Sequence, residues 1–223
     1  FIIILNTYMN SSSHGWGGDF SLYLAQSEAI LSGGFDVVYN DNKQIMDSGR
    51  KGPYLYPNLY PLIISPLVSL NKKASFYLIK LISIIIFSFI LFYFVKPNID
   101  SWLSAIFYLS LFNLFFITNY ADLIGPDLIY LSIVFYISRS YMKDVRTNYD
   151  IIICIFLGFA SIFLKTIGIL FLCSILFIEA TSRFSKERKL IKSILPFLLI
   201  FVFALLVRKV PWMAGDSLNE LDA

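Results

Sequence analysis

Few side chains in this chain can do chemistry. The carboxylates Asp19, Glu28, Asp36, Asp41, Asp47, Asp122 and Asp127 and the cations Arg50, Lys51 and Lys165 punctuate a sequence that is otherwise largely apolar. Asp19 follows Gly15-Trp16-Gly17-Gly18, Asp127 opens an apolar run, and Lys165 interrupts another. A carboxylate beside a hydroxyl can take its proton as general base. An ammonium can neutralise charge that grows on a departing phosphate. Two carboxylates and a cation at a membrane surface therefore suit attack by a hydroxyl on an anomeric carbon whose leaving group is a lipid phosphate. Tyr23, Tyr56 and Tyr60 are candidate substrate contacts, although tyrosines at a membrane boundary more often form an interfacial belt.

The elements that position these groups are set by hydropathy. The chain has 223 residues and is 57% hydrophobic, with only 15% charged residues; a soluble domain is about 45–50% apolar. Charges cluster between apolar runs, the pattern of a polytopic membrane protein. The two cysteines, Cys154 and Cys173, lie inside apolar runs and read as packing residues. The one histidine, His14, has no second His or Cys pair to complete a zinc site. No nucleic-acid-binding pattern is present; Lys and Arg gather at the ends of apolar runs, where they orient spans.

Phe1–Met9 reads as the end of a first transmembrane helix and residues 10–73 as an extracytoplasmic loop with interfacial helices. Residues 74–207 read as a bundle of about six helices, and residues 208–223 as the start of another extracytoplasmic segment. Within the loop, Ser21–Ser32 is a predicted helix stopped by Gly33-Gly34. Asp19 or Ser21 caps it, and Leu22, Ala25, Ala29 and Ile30 share a face opposite Gln26 and Glu28. Phe35–Pro53 reads as irregular, and Tyr54–Leu70 as a proline-bent segment at the surface. The predicted spans are Ala74–Val95, with Lys80 snorkelling toward the interface, then Ser101–Thr118, Leu123–Ser138, Ile151–Ile178 and Ile194–Val207.

Charge sets the topology. Arg139, Lys143 and Arg146 form one basic loop, and Arg183, Lys186, Arg188, Lys189 and Lys192 form another. Both belong on the cytoplasmic side, so an even number of crossings separates them. Ile151–Ile178 is then two short helices joined near Lys165, each of about 14 residues and rising about 21 Å. Such a recessed turn is tolerated where it is buried in protein or lines a wet cavity. Residues 10–73, the turn before Asp127 and Lys165 then share the outer side.

Four motifs, in order, carry a resemblance. Gly18-Asp19-Phe20-Ser21-Leu22-Tyr23 follows the first apolar segment, and Tyr56-Pro57-Asn58-Leu59-Tyr60-Pro61-Leu62 with Pro66-Leu67 precedes the next. Gly125-Pro126-Asp127-Leu128 opens a later apolar run, and Lys165-Thr166-Ile167-Gly168 precedes a leucine-rich one. In these features the chain resembles the GT-C class of membrane glycosyltransferases, more narrowly the protein mannosyltransferase and aminoarabinose transferase-like group. The resemblance spans nearly the whole chain. The proline precedes the Asp where the family places it after an acidic residue, which leaves Asp122 and Asp127 both open for the second acidic role.

The resemblance implies an all-α polytopic GT-C-type bundle in the cell membrane with an extracytoplasmic active site. It implies Asp19 as general base at the acceptor, Asp127 as a second site carboxylate and Lys165 as a donor-phosphate contact. The implied donor is a polyprenyl-phosphate-linked sugar, transferred with inversion to a protein, lipid or glycan hydroxyl. No cofactor is expected, and the absence of Asp-x-Asp from the first loop points away from a metal. Plainer roles stand beside these: Asp19 as a helix cap, Asp127 as a cap after Pro126, Lys165 as an interfacial anchor. The alternative function is a non-catalytic lipid-linked glycan transporter or polymerase-like membrane protein, although no internal repeat of the kind transporters carry is visible.

Overall fold

A computed structural model describes residues 20–48, 55–95, 123–143, 146–187 and 190–208. These residues form eight α-helices and, among them, no strand. In chain order they are α1 (Phe20–Ser32), α2 (Phe35–Asp47), α3 (Leu59–Val68), α4 (Lys72–Val95), α5 (Asp127–Tyr141), α6 (Asn148–Ile162), α7 (Gly168–Glu187) and α8 (Leu190–Arg208). The expected all-α class holds for the described residues. Asp19, Asp122, the first segment Phe1–Met9, the span expected over Ser101–Thr118 and residues 209–223 lie outside them.

The chain divides into two compact units. One contains α1, α3 from Tyr60 onward, α4 and α5; the other contains most of α2, residues 55–59, α6, α7 and α8.

The first unit is built on α4. Its 24 residues span about 36 Å, enough to cross a hydrocarbon core of about 30 Å, and it is the one described helix long and apolar enough to do so. Its buried positions recur every three or four residues, through Phe76, Ile79, Lys80, Ser83, Ile84, Phe87, Ser88, Leu91 and Val95, so one face is internal along the whole helix. Against that face α5 packs, closing a core of Ile84, Phe87, Leu91, Val95 and Leu128 flanked by Phe94, Leu131 and Phe135. Tyr93 and Tyr136 stack at 5.6 Å and Phe94 meets Phe135 at 5.0 Å. Lys80 does not snorkel: it is fully buried on the internal face, because its position falls on the apolar stripe.

α1 ends as expected, with Gly33 at φ 75° accepting the left-handed turn that a Cβ disfavours. Its faces are not as expected. The buried residues are Tyr23, Leu24, Gln26, Ser27 and Ala29, with Gln26 wholly inside. α1 is enclosed on more than one side, so an amphipathic split made on hydropathy alone does not describe it. In α3, Pro66 cannot donate to the carbonyl of Leu62, and the Ser65 hydroxyl donates to that carbonyl instead at 2.9 Å. The helix continues to Val68 on that substitute.

In the second unit α6 and α7 form the expected helix–turn–helix, with α8 packed on α7. Ile162, Leu172, Leu176, Phe197 and Ala204 make its core. Two glycines permit the hairpin. A Cβ on Gly158 would sit 2.7 Å from Ile175 Cδ1, and one on Gly168 would collide with the backbone of Ser161. A capping box starts α6: Thr147 Oγ1 accepts from Asp150 N at 3.2 Å while Thr147 N donates to Asp150 Oδ2 at 3.0 Å. Beside it the guanidinium of Arg146 pairs at 2.6 Å with Glu179 of α7, so the ion pair ties the start of α6 to α7. The segment expected to be irregular, Phe35–Pro53, instead contains α2. Val38 and Tyr39 are each followed seven residues later by Ile45 and Met46, and this helical repeat overrides the turn preference of the Asp and Asn residues between them.

Candidate functional site

Three residues singled out from separate motifs meet in the first unit, around Tyr60. Tyr60 occupies the first turn of α3, where Pro61 is tolerated because helix-start amides have no intrahelical acceptor. Its ring stands edge-on to that of Tyr23 in α1, with centroids 5.3 Å apart and planes at 84°. The phenol is fully buried, and among the described residues Tyr60 Oη is one of two buried side-chain oxygens without a hydrogen-bond partner. Burial pushes the phenol far above its ordinary range, and neighbouring Tyr23 and Asp127 add to the rise. The Gly125 backbone and the Ser83 hydroxyl pull the other way, yet neither reaches hydrogen-bond geometry with Oη. Tyr60 therefore keeps its proton throughout the physiological range and can act as a donor, not as a base.

Gly125 lets this cluster close. A Cβ there would stand 3.0 Å from Phe20 Cε1 and 3.2 Å from Asp127 Oδ2. Phe20 and Tyr23 lie three residues apart on α1, on one face, and bring the residues that follow Asp19 against this loop. Pro126 occupies the N-cap position of α5 without a side-chain cap bond, and Asp127 is the first helical residue. Asp127 is thus not the cap. Its carboxylate sits in the first turn, where the helix dipole favours negative charge.

Sequence reasoning passed over Lys80 as a site residue. It lies one turn from Ser83 on the internal face of α4, fully buried and engaged by neighbouring groups. A buried ammonium is costly unless partnered, and Lys80 lies on the internal stripe that also carries Ser75, Ser83 and Ser88. The available signal was its register with those serines. Glu179 was missed as well; it is a lone carboxylate in an apolar run.

Tyr56 and Lys165 belong to the second unit. Lys165 lies half-buried in the turn between α6 and α7, its amide donating to Ser161 O at 3.0 Å and its carbonyl accepting from Gly168 N at 2.9 Å. Residues 55–59 run beside that turn, Leu59 N donating to Phe163 O at 3.0 Å. The candidate residues thus form two groups: Tyr23, Tyr60 and Asp127 in one unit, Tyr56 and Lys165 in the other. Among the described residues no group of three or more His, Cys, Asp or Glu side chains is gathered to hold a metal. No family model, no curated protein and no solved structure matches the chain.

Proposed function

We propose that this chain is a multi-pass membrane glycosyltransferase of GT-C type that moves a sugar from a polyprenyl-phosphate donor to an acceptor hydroxyl on the extracytoplasmic face. The observation that carries the proposal is the meeting of Tyr23, Tyr60 and Asp127 around Gly125, since these residues come from three of the four family-like motifs. Support for the bilayer comes from the outward faces of the helices: Phe89 of α4, Phe156 of α6 and Phe177 of α7 are 65%, 67% and 70% exposed, and broad exposed apolar surface marks a lipid or protein interface.

In the proposed reaction the acceptor oxygen forms a bond to the anomeric carbon as the bond from that carbon to the phosphate oxygen breaks. The electron pair leaves with the phosphate. Asp19 takes the hydroxyl proton, and Asp127 holds the acceptor or the developing positive charge on the sugar ring. Tyr60, fully buried, positions Tyr23 through the edge-on contact of their rings.

The test is transfer of label from radiolabelled polyprenyl-phosphate sugars in membranes carrying the protein or its Asp127→Asn variant at matched levels. Discharge by the parent and its loss in the variant is the expected outcome. Equal discharge by both would reduce Asp127 to a helix-end charge.

A further inference from the structure

A cavity in the first unit lies along a different face of α1 from the one that carries Tyr23. It has a volume of ≈ 220 Å³ and is lined by Ser21, Leu24, Ala25 and Glu28 of α1, Val68 of α3, and Lys72, Ser75 and Phe76 of α4. The α1 residues recur at the spacing of one helical face, distinct from the face that carries Phe20, Tyr23 and Ser27.

Ser75 is the unusual wall residue. Buried serines elsewhere in these helices return their hydroxyls to a carbonyl about one turn back: Ser27 to Tyr23 at 2.6 Å, Ser83 to Ile79 at 3.0 Å, Ser88 to Ile84 at 2.7 Å and Ser132 to Leu128 at 2.7 Å. The carbonyl one turn before Ser75 belongs to Asn71 and takes the Ser75 amide at 2.8 Å. Ser75 Oγ itself is 2% exposed by residue and has no partner. A buried hydroxyl beside open space with its donor and acceptor both unused is a place for a ligand oxygen.

We propose that this cavity binds a single neutral, hydroxyl-rich ring of monosaccharide size. At about 30 Å³ per water it holds the equivalent of about seven waters, and it is smaller than the sites of about 300 Å³ or more that take drug-sized ligands. Leu24, Val68 and Phe76 offer an apolar wall for the C–H face of such a ring, and the hydroxyl of Ser75 offers hydrogen bonds. Glu28 and Lys72 add one charge of each sign, which gives no net attraction for a phosphate or other anion and leaves an acceptor and a donor for ring hydroxyls. This inference does not rest on sugar transfer, because the cavity uses neither Asp127 nor Tyr60.

The experiment is saturation-transfer NMR with the full-length protein in detergent, using methyl pyranosides of glucose, galactose and mannose as probes. Saturable millimolar binding of at least one is expected. Ser75→Ala weakens it about fivefold, the effect of one lost hydrogen bond. Ala25→Phe, which fills the cavity from α1, abolishes it, and Ser88→Ala, whose hydroxyl bonds within its own helix, leaves it unchanged. Absence of binding by all three glycosides, or binding that survives Ala25→Phe in a variant that retains the parent's melting temperature, would overturn the proposal. Should Ala25→Phe fold poorly, Ser75→Ala decides: affinity equal to the parent's counts against the site.

Discussion

Replacing Tyr60 with Phe separates stability from function at the candidate site. The ring and its edge-on contact with Tyr23 at 5.3 Å survive the change; only the buried, partnerless hydroxyl is removed. An unsatisfied buried hydroxyl costs about 1–3 kcal/mol, and the small void left behind gives some of that back. Tyr60→Phe should therefore be more stable than the parent by about 1 kcal/mol near neutral pH, while sugar transfer persists because the ring contact with Tyr23 is kept. The pH dependence sharpens the test. The folded phenol is held far above its ordinary value by burial, whereas the unfolded phenol ionises near about pH 10. The stability carried by the neutral buried form is fully present below about pH 10 and is lost as pH rises above it, by up to about 1.4 kcal/mol per pH unit. The phenylalanine variant lacks that loss, so its advantage should widen in alkali. The assay is denaturant unfolding in detergent at pH values on both sides of the phenol's unfolded pKa, beside donor discharge at neutral pH. A variant less stable than the parent, with a parallel pH profile, would refute the reasoning, because the hydroxyl would then be partnered.

Arg146→Met should destabilise the second unit by about 3 kcal/mol, since it removes the guanidinium that pairs with the buried carboxylate of Glu179; pairing it with Glu179→Leu should recover most of that loss in unfolding measurements. Gly168→Ala should cost about 1–3 kcal/mol, because the new Cβ meets the Ser161 backbone and not a side chain that can move; a melting temperature equal to the parent's would show that the hairpin turn yields.

How much could be read from the sequence varies by element and for physical reasons. The break near Lys165 was legible because two basic loops demanded an even number of crossings, and the structure has α6 and α7 meeting at that turn. The end of α1 was legible in Gly33-Gly34. The faces of α1 were not, because hydropathy ranks Gln26 as exposed and cannot register burial shared among several neighbours. Lys80 was misread for the same reason: position along a span suggests an anchor, whereas register around the helix decides that it is internal. α2 was hidden by Asp and Asn residues that locally favour turns. At the site, Tyr23, Tyr60 and Asp127 were nameable from their motifs, yet Gly125 as the residue that admits them, and the partnerless hydroxyls of Tyr60 and Ser75, emerge only when distant segments are packed together.

The most direct measurement follows radiolabelled polyprenyl-phosphate sugars in membranes that contain the full-length protein, with Asp19→Asn beside it at matched expression. Discharge of a donor by the parent and none by Asp19→Asn is the expected result, and makes the chain a glycosyltransferase with an essential carboxylate at that position. Equal discharge by both would contradict the assignment of Asp19 as base, and failure of the parent to discharge any donor would contradict the transferase itself in favour of a transport or binding role.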